Sequence, residues 1–329
     1  MLHIAKIIMA VEKYQKELGE IKKEVKRLVI GQDNAVNAIL RAIVANGHVL
    51  IEGLPGTAKT IIMRALAKAT GCNTSRIQFT VDLLPTDITG ITAYNKDRGF
   101  YVVKGPVFAN FVLADEINRA TPKVQASLLE AMQEKQTTIG KETFSMPDPF
   151  FVMATTNPIE SAGIYTLPEA QLDRFLFKIF IGYPTMDEES AIIDNNITIS
   201  KFEDFNIKAV VSATKIIEMQ KAAKKVIMNS NIKKYVTRLV DATRNPGNYG
   251  IKSGSYIEYG ASPRASISIA IAARAEALMN GKEFVVPQYV KDVAHDVLRH
   301  RIILTYEGMA KKITTDQIID EILKKVKVT

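Results

Sequence analysis

The chain has 329 residues, 47 % apolar and 24 % charged, an ordinary balance for a soluble globular protein with length for about two domains. No charge-free apolar run reaches the roughly 18 residues of a membrane span, and Lys6, Glu12, Lys13 and Glu17 interrupt the N-terminal apolar residues with no small-residue cleavage site after them, unlike a secretory leader. A single cysteine, Cys72, excludes an intrachain disulfide framework and suits a cytoplasmic, reducing setting, while a net charge of +8 permits but does not demand contact with nucleic acid.

Ile7, Val11, Tyr14, Leu18, Ile21, Val25 and Leu28 step by four and three, which predicts one amphipathic helix over residues 4–28. It suits either a coiled-coil seam or packing on its own domain. The break at Ile30-Gly31-Gln32, with a second helix from Asp33 to Ala45 directly after it, favours the latter. Val49-Leu50-Ile51 then leads into Gly53-Leu54-Pro55-Gly56-Thr57-Ala58-Lys59-Thr60. A glycine-bearing turn between a strand and a helix wraps phosphate oxygens with backbone N–H groups. Lys59 adds charge toward the β- and γ-phosphates, and the Thr60 hydroxyl suits Mg²⁺. The following helix, Thr60 to Ala69, points its positive dipole end at the same anion. A plain Gly-Pro turn does not account for Lys-Thr at this offset. Ala58 stands where the general pattern has glycine, which is tolerated if that residue already has helical backbone angles. Cys72, just beyond the helix, reads as a small buried side chain.

Further strands are predicted at Ile77–Val81, Phe111–Ala114, Phe150–Ala154 and Phe177–Ile181, separated by helices, which implies a parallel sheet covered on both faces. Two hairpin-like inserts, 88–103 and 137–144, interrupt the rhythm. After Gly182-Tyr183-Pro184 the pattern becomes helical, with helices predicted at 187–195, 208–223, 232–244, 263–279, 287–301 and 315–327 around a Gly-rich loop at 245–260. The chain thus divides into an N-terminal helix with an α/β core, residues 1–184, and a helical lid, residues 185–329.

The strand Phe111-Val-Leu-Ala ends in Asp115-Glu116, the expected companion of a phosphate loop. Asp115 would hold the magnesium environment and Glu116 would activate water as general base. Alone, two acids at a strand end are a weak signal, since they often only solvate it. The next strand ends in Thr155-Thr156-Asn157-Pro158. If it lies between the other two, Asn157 reaches the γ-phosphate and orients the water; otherwise it caps an Asn-Pro turn. Arg174, before the last strand, can serve a developing phosphoryl charge or pair with Asp173 or Glu169. Ser262-Pro263 is a good helix start, but Arg264 in that first turn opposes the helix dipole, which hints at an anion partner. His3, His48, His295 and His300 form no ligand set, and structural or surface roles are expected. The pairs Lys22-Lys23, Lys311-Lys312 and Lys324-Lys325 alternate with acids and read as solvated faces.

This ordered set resembles the AAA+ ATPases, and its wording is similar to the MoxR family: Asp-Glu-Ile-Asn-Arg-Ala (115–120), Gln-Ala-Ser-Leu-Leu-Glu-Ala-Met-Gln-Glu (125–134), Ala-Thr-Thr-Asn-Pro-Ile-Glu (154–160), Leu-Pro-Glu-Ala-Gln-Leu-Asp-Arg-Phe-Leu-Phe (167–177) and Gly-Ala-Ser-Pro-Arg-Ala (260–265). The likeness runs from about Ile30 to the end, and alanine at position 58 is usual in it. It implies an AAA+ sandwich with hairpin inserts, followed by an all-α lid. Lys59 and Thr60 would be Walker A, and Asp115 and Glu116 Walker B. Asn157 would be the first sensor, Arg174 the arginine finger for a neighbouring subunit, and Arg264 a second sensor linking the lid to the γ-phosphate. Ile30-Gly31 would lie by adenine. Implied partners are ATP with Mg²⁺, further copies in a ring expected to be hexameric, and client proteins that include von Willebrand factor A-type domains and metal-dependent proteins. Phe100 and Tyr101 are candidate substrate contacts, with core packing as the alternative. A motor on nucleic acid, a metal-chelatase ATPase subunit and a nucleotide-gated scaffold with little turnover are the competing readings. The dispersed basic residues speak against the first, the MoxR wording against the second and Glu116 against the third.

Overall fold

The computed structural model describes residues 2–97, 99–158, 163–194 and 202–328, with side chains from Val11 onward. Arg98 in the first insert, Ile159 and Glu160 of the Asn157 motif, Asn195 at a predicted helix end and the Ile7 side chain lie outside the described residues. In chain order, α1 (Leu2–Lys26) and α2 (Asp33–Val44) precede β1 (Val49–Gly53), α3 (Lys59–Ala69), β2 (Thr74–Gln78) and a short α4 (Pro85–Thr89). The first insert is the hairpin β3 (Gly90–Asn95) with β4 (Gly99–Lys104). Next come β5 (Phe111–Asp115), α5 (Pro122–Glu134) and the second hairpin, β6 (Gln136–Ile139) with β7 (Glu142–Ser145). β8 (Phe151–Thr156), α6 (Glu169–Leu172) and β9 (Phe177–Ile181) complete the core. After β9 come α7 (Met186–Asp194), α8 (Ala213–Lys225), α9 (Ser230–Arg244), β10 (Ile257–Tyr259), α10 (Pro263–Met279), α11 (Pro287–Leu298), β11 (Ile303–Leu304), α12 (Tyr306–Ala310) and α13 (Thr315–Lys325), the mostly helical C-terminal region, called the lid below.

The five core strands form a sheet in the order β2-β5-β8-β1-β9, with all pairs parallel. Its central strands are buried on both faces, and the period of two sorts their side chains. Val49, Ile51, Phe111, Leu113, Phe151 and Met153 join one apolar cluster, with Ile62 and Leu66 of α3 and Ile39 and Ile43 of α2. Leu50, Val112, Ala114, Val152 and Ala154 join a second, beneath Val124, Leu128 and Met132 of α5. Phe111 and Phe151 meet edge to face across β5 and β8, with centroids 5.4 Å apart, an arrangement worth about 0.5–1.5 kcal/mol beyond its area. The α/β sandwich with hairpin inserts and a helical lid expected from sequence is the fold observed. The first cluster continues without a break past residue 184 into Ile216, Met219, Tyr235, Leu239, Ile269, Ala272 and Val293 of the lid helices. α1 turns Leu18, Ile21 and Val25 into the same cluster and packs on α3 and α10, so packing on its own chain accounts for its apolar stripe.

Several bounds differ from expectation. β2 begins at Thr74 rather than Ile77, because it is an edge strand whose exposed side tolerates Thr74 and Arg76; hydrophobicity alone marked the buried Ile77 and Phe79. α8 starts at Ala213, not Lys208, where the Ser212 hydroxyl accepts from the Lys215 N–H and caps it. The lid is not wholly helical: β10 and β11 form a small antiparallel ribbon at the end of the Gly-rich stretch. Phe100 does not pack in the core. It is 78 % exposed on β4, and its ring tilts against Tyr94 with centroids 5.1 Å apart; Tyr101 is exposed beside it.

His48, just before β1, is a structural residue. The Val152 N–H donates to its Nδ1 at 3.0 Å, so Nε2 carries the proton and faces the Met132 carbonyl at 3.3 Å. Burial lowers its pKa to about 4, and Lys135 pushes the same way. Burial, chiefly, also holds His300 well below its ordinary value. Unfolding therefore takes up protons between about pH 4 and the free imidazole value near 6.5. These histidines contribute fully above pH 6.5, and that contribution falls as pH drops toward 4. Thermal melts at steps from pH 7.5 to 5 are expected to show a falling midpoint, with a shallower fall in His48→Gln. An equal slope in the variant rules out this origin.

Candidate nucleotide site

The chain leaves β1 into the phosphate loop where backbones run close. A Cβ built on Gly53 stands 2.8 Å from the Ile181 carbonyl oxygen, so only glycine fits without a shift. Gly56 has φ +80° and Ala58 φ +59°, ψ 15°. Ala58 therefore does not meet the condition of helical angles under which alanine is readily tolerated there. It is left-handed, a conformation that costs an L-residue about 1–2 kcal/mol. The two positive-φ residues flank Thr57, whose hydroxyl donates to the Leu54 carbonyl at 2.7 Å and staples the turn. α3 then begins at Lys59 with no side-chain cap. Its first-turn N–H groups have no internal acceptor and face the loop, the arrangement that receives an anion. Lys59 Nζ donates to the Gly53 and Leu54 carbonyls at 2.6 and 3.0 Å. Burial lowers its pKa, against the pull of Asp115 and Glu116.

Asp115 ends β5, and Glu116 follows with φ +58° and ψ 50°. That left-handed step, costly for a residue with a long side chain, turns Glu116 away from the strand line. Thr155 on the adjacent β8 fixes both acids: its hydroxyl donates to Asp115 Oδ1 at 2.7 Å and accepts from the Glu116 N–H at 2.9 Å. From the other side, β2 supplies Arg76, whose Nη2 and Nε donate to Asp115 Oδ2 at 2.6 and 3.2 Å. Arg76 also donates to Gln78 Oε1, and Gln78 Nε2 donates to Glu116 Oε2 at 2.8 Å. Arg119 Nη1 lies 3.2 Å from the same Glu116 oxygen. None of these four was singled out from sequence. Thr155 stood inside the Asn157 motif, and Arg76 and Gln78 share a face of β2 by the two-residue period. Placing that strand at Ile77–Val81 left Arg76 outside it and so hid the pairing.

One cleft of about 420 Å³ gathers these groups, lined by Pro55, Gly56, Thr57, Ala58, Lys59 and Thr60 with Asp115, Glu116, Arg76, Thr155, Thr156 and Asn157. Leu28, Val29 and Ile30 form its apolar end. Gly53 and Leu54 sit behind the lining as acceptors for Lys59. Gly31 is not among the lining residues; it lies against the Glu188 side chain. Asn157 is buried at the end of β8, between the ends of β1 and β5. The donor set suits a nucleoside triphosphate with a hard cation. It combines an uncapped helix N-terminus, one ammonium group, two carboxylates, a threonine hydroxyl and an apolar wall.

Arg174 and Arg264 do not line this cleft. They border a second one, of about 240 Å³, with Asp173, Met132 and Gln133. Arg264 Nη1 is 3.9 Å from Asp173 Oδ2. Ser262 caps α10 as expected, and its hydroxyl also donates to Asp173 Oδ2 at 3.0 Å. Among the described residues Arg174 has no ion pair with Asp173 or Glu169.

Residues 48–177 match the family described as ATPase family associated with various cellular activities (AAA), and residues 252–322 match the AAA lid domain. The chain is 48 % identical to Chaperone MoxR1 of Mycobacterium tuberculosis over 92 % of this chain and 80 % of that protein. It is 31 % identical to Protein MoxR of Methylorubrum extorquens over 91 % and 92 % of the two chains. A crystal structure of a putative ATPase from Cytophaga hutchinsonii superposes with a TM-score of 0.93 at 43 % identity, covering all of both chains. With its phosphate loop, acid pair and lid in this order along a MoxR-like sequence, the chain belongs to the MoxR family of AAA+ ATPases.

Proposed function

We propose that this protein hydrolyses magnesium-bound ATP at a site shared between two copies of the chain, and that turnover remodels or matures client protein complexes in the cytosol. The observation that carries the reading is a division. Lys59, Thr60, Asp115, Glu116 and Asn157 meet at one cleft, whereas Arg174 borders another. A cation outside its own cleft with no ion pair among the described residues suits a partner's phosphate. Arg264, on the same second cleft, falls on the same shared side.

In this reading the uncapped start of α3 and Lys59 bind the phosphates. Lys59 exchanges its bonds to the Gly53 and Leu54 carbonyls for phosphate oxygens. Leu28, Val29 and Ile30 take the base. Thr60 and Asp115 would hold the cation, which would supply charge neutralisation at the transferred phosphoryl group. Both Asp115 oxygens already accept hydrogen bonds, from Thr155 and Arg76, which fix the carboxylate's orientation. Glu116 accepts the proton of the attacking water, and Asn157 holds that water without consuming its proton. The Arg174 of the next copy then meets the developing charge, in a ring expected to be hexameric. The exposed aromatic pair Tyr94 and Phe100, with Tyr101, marks the first hairpin as the client-facing element. Clients with von Willebrand factor A-type domains follow from the family likeness. No helix among the described residues is long and apolar enough to cross a membrane.

Lys59→Ala is expected to weaken ATP binding about 10- to 100-fold, the worth of a charge-assisted hydrogen bond; unchanged affinity by calorimetry removes the loop from the site. Glu116→Gln is expected to bind ATP normally and turn over about 10²–10⁴-fold more slowly. Wild-type turnover in that variant would falsify the general-base assignment. Arg174→Ala should bind ATP normally yet lose hydrolysis that depends on assembly. Mixing it with Lys59→Ala subunits should restore part of the rate, because each variant supplies the half the other lacks. Stable mixed rings without recovery contradict the shared site.

A further inference from the structure

Arg301 is the most deeply placed cation in the described lid, its side chain 2 % exposed. Its Nε donates to Asp173 Oδ1 at 2.7 Å. Its two terminal nitrogens donate to the carbonyls of Asp173, Phe175 and Leu176 at 3.3, 2.7 and 3.2 Å, and to that of Val297 in α11, the helix that ends just before Arg301. Burial lowers the Arg301 pKa while Asp173 raises it. The opposite Asp173 oxygen accepts from Ser262 at the start of α10 and faces Arg264. One carboxylate thus collects bonds from two separate lid segments, and the segment it belongs to, 173–176, carries Arg174. A buried guanidinium without its carboxylate is strongly disfavoured, so this joint does not slip. A lid that rotates must carry residues 173–176 with it.

We infer that Asp173 is the positioning residue for Arg174, transmitting lid orientation to the arginine offered to the neighbouring copy. The inference rests on the shared-site reading of Arg174. Asp173 touches no substrate; it sets where the next residue's side chain begins. A displacement of about 1 Å in a group that must meet a transition state costs about 10²-fold in rate.

The test is Asp173→Asn in the full chain, beside Arg174→Ala, each alone and mixed with Glu116→Gln. Asp173→Asn removes the charge and keeps one acceptor oxygen. ATP affinity in the variant is expected to stay within about twofold, because its own cleft is intact, while kcat falls by about 10²-fold. Glu116→Gln subunits are inactive themselves but carry an intact Asp173-Arg174 pair. In mixed rings they should restore turnover at the Asp173→Asn sites. A purely structural role predicts no such recovery, since the damage would stay within the variant subunit. Wild-type kcat in Asp173→Asn, or a loss that Glu116→Gln does not restore while it restores Arg174→Ala, overturns the inference. If Arg174→Ala itself loses no turnover, or is not restored, the shared-site reading fails first and the two failures remain distinct. Where Asp173→Asn does not melt cooperatively, Ser262→Ala carries the test. It deletes one lid bond to Asp173 and leaves the Arg301 pair. A severalfold loss of kcat restored by Glu116→Gln supports the inference, and an unchanged kcat overturns it.

Discussion

Three strand ends have to arrive side by side for this chain to have a site. β8 lies between β5 and β1, which brings Asp115, Asn157 and the phosphate loop to one edge of a parallel sheet. Parallel pairing aligns the carboxyl ends, and the crossovers through helices keep both faces dry. The side chains that do chemistry are therefore few, and most of each strand is spent on burial. Phe111 to Ala114 and Phe151 to Thr155 are buried so that Asp115, Glu116 and Asn157 can stand at fixed spacing. Thr155 is the clearest product of this arrangement. It is a buried hydroxyl whose donor and acceptor are both used, on the acid of one role and the backbone of the other.

The acids are also held from outside the sheet. Arg76 on Asp115, and Gln78 with Arg119 on Glu116, offset the repulsion between adjacent carboxylates. Arg76 and Arg119 are partly exposed, so each contact is individually weak. The value of the network lies in geometry: it presents Glu116 in one orientation. The left-handed backbone at Ala58 and at Glu116 belongs to the same economy. Each is unfavourable locally, and each is imposed by a rigid strand end a residue or two away.

Much of this was legible in the sequence. Lys-Thr at the right offset after an apolar strand pointed to the loop, and Asp-Glu, with one strand in between, pointed to the acids, because those patterns are local. β9 and α10 came out with the bounds expected, since Pro184 and Ser262-Pro263 punctuate them. What was not legible depended on pairing. β2 is an edge strand with a polar outer side, so hydrophobicity placed it three residues late and left Arg76 outside it. The left-handed Ala58 is a demand of the loop's path, and no neighbour in the sequence announces it. The ribbon of β10 with β11 joins segments far apart in the chain and is too short to show a period. The separation of Arg174 and Arg264 from the nucleotide cleft is likewise a fact of tertiary placement.

The lid is joined to the core in a way that bears on how a turnover could be felt at a distance. The apolar cluster shared by α1, α2, α3 and the lid helices is large but not directional, and on its own it allows small rotations of one body against the other. The ion pairs across the same boundary do not. Arg41 of α2 is buried against Glu276 of α10 at 2.5 Å and lies 3.8 Å from Asp296 of α11. Arg299 bonds the Lys178 carbonyl of β9, and Arg301 holds Asp173. Such buried pairs contribute little net stability, because desolvation offsets most of their attraction, yet breaking one is costly. They therefore select among orientations that the apolar contact would accept about equally. A lid fixed by a few buried charges has discrete positions, and discrete positions are what a nucleotide can choose between.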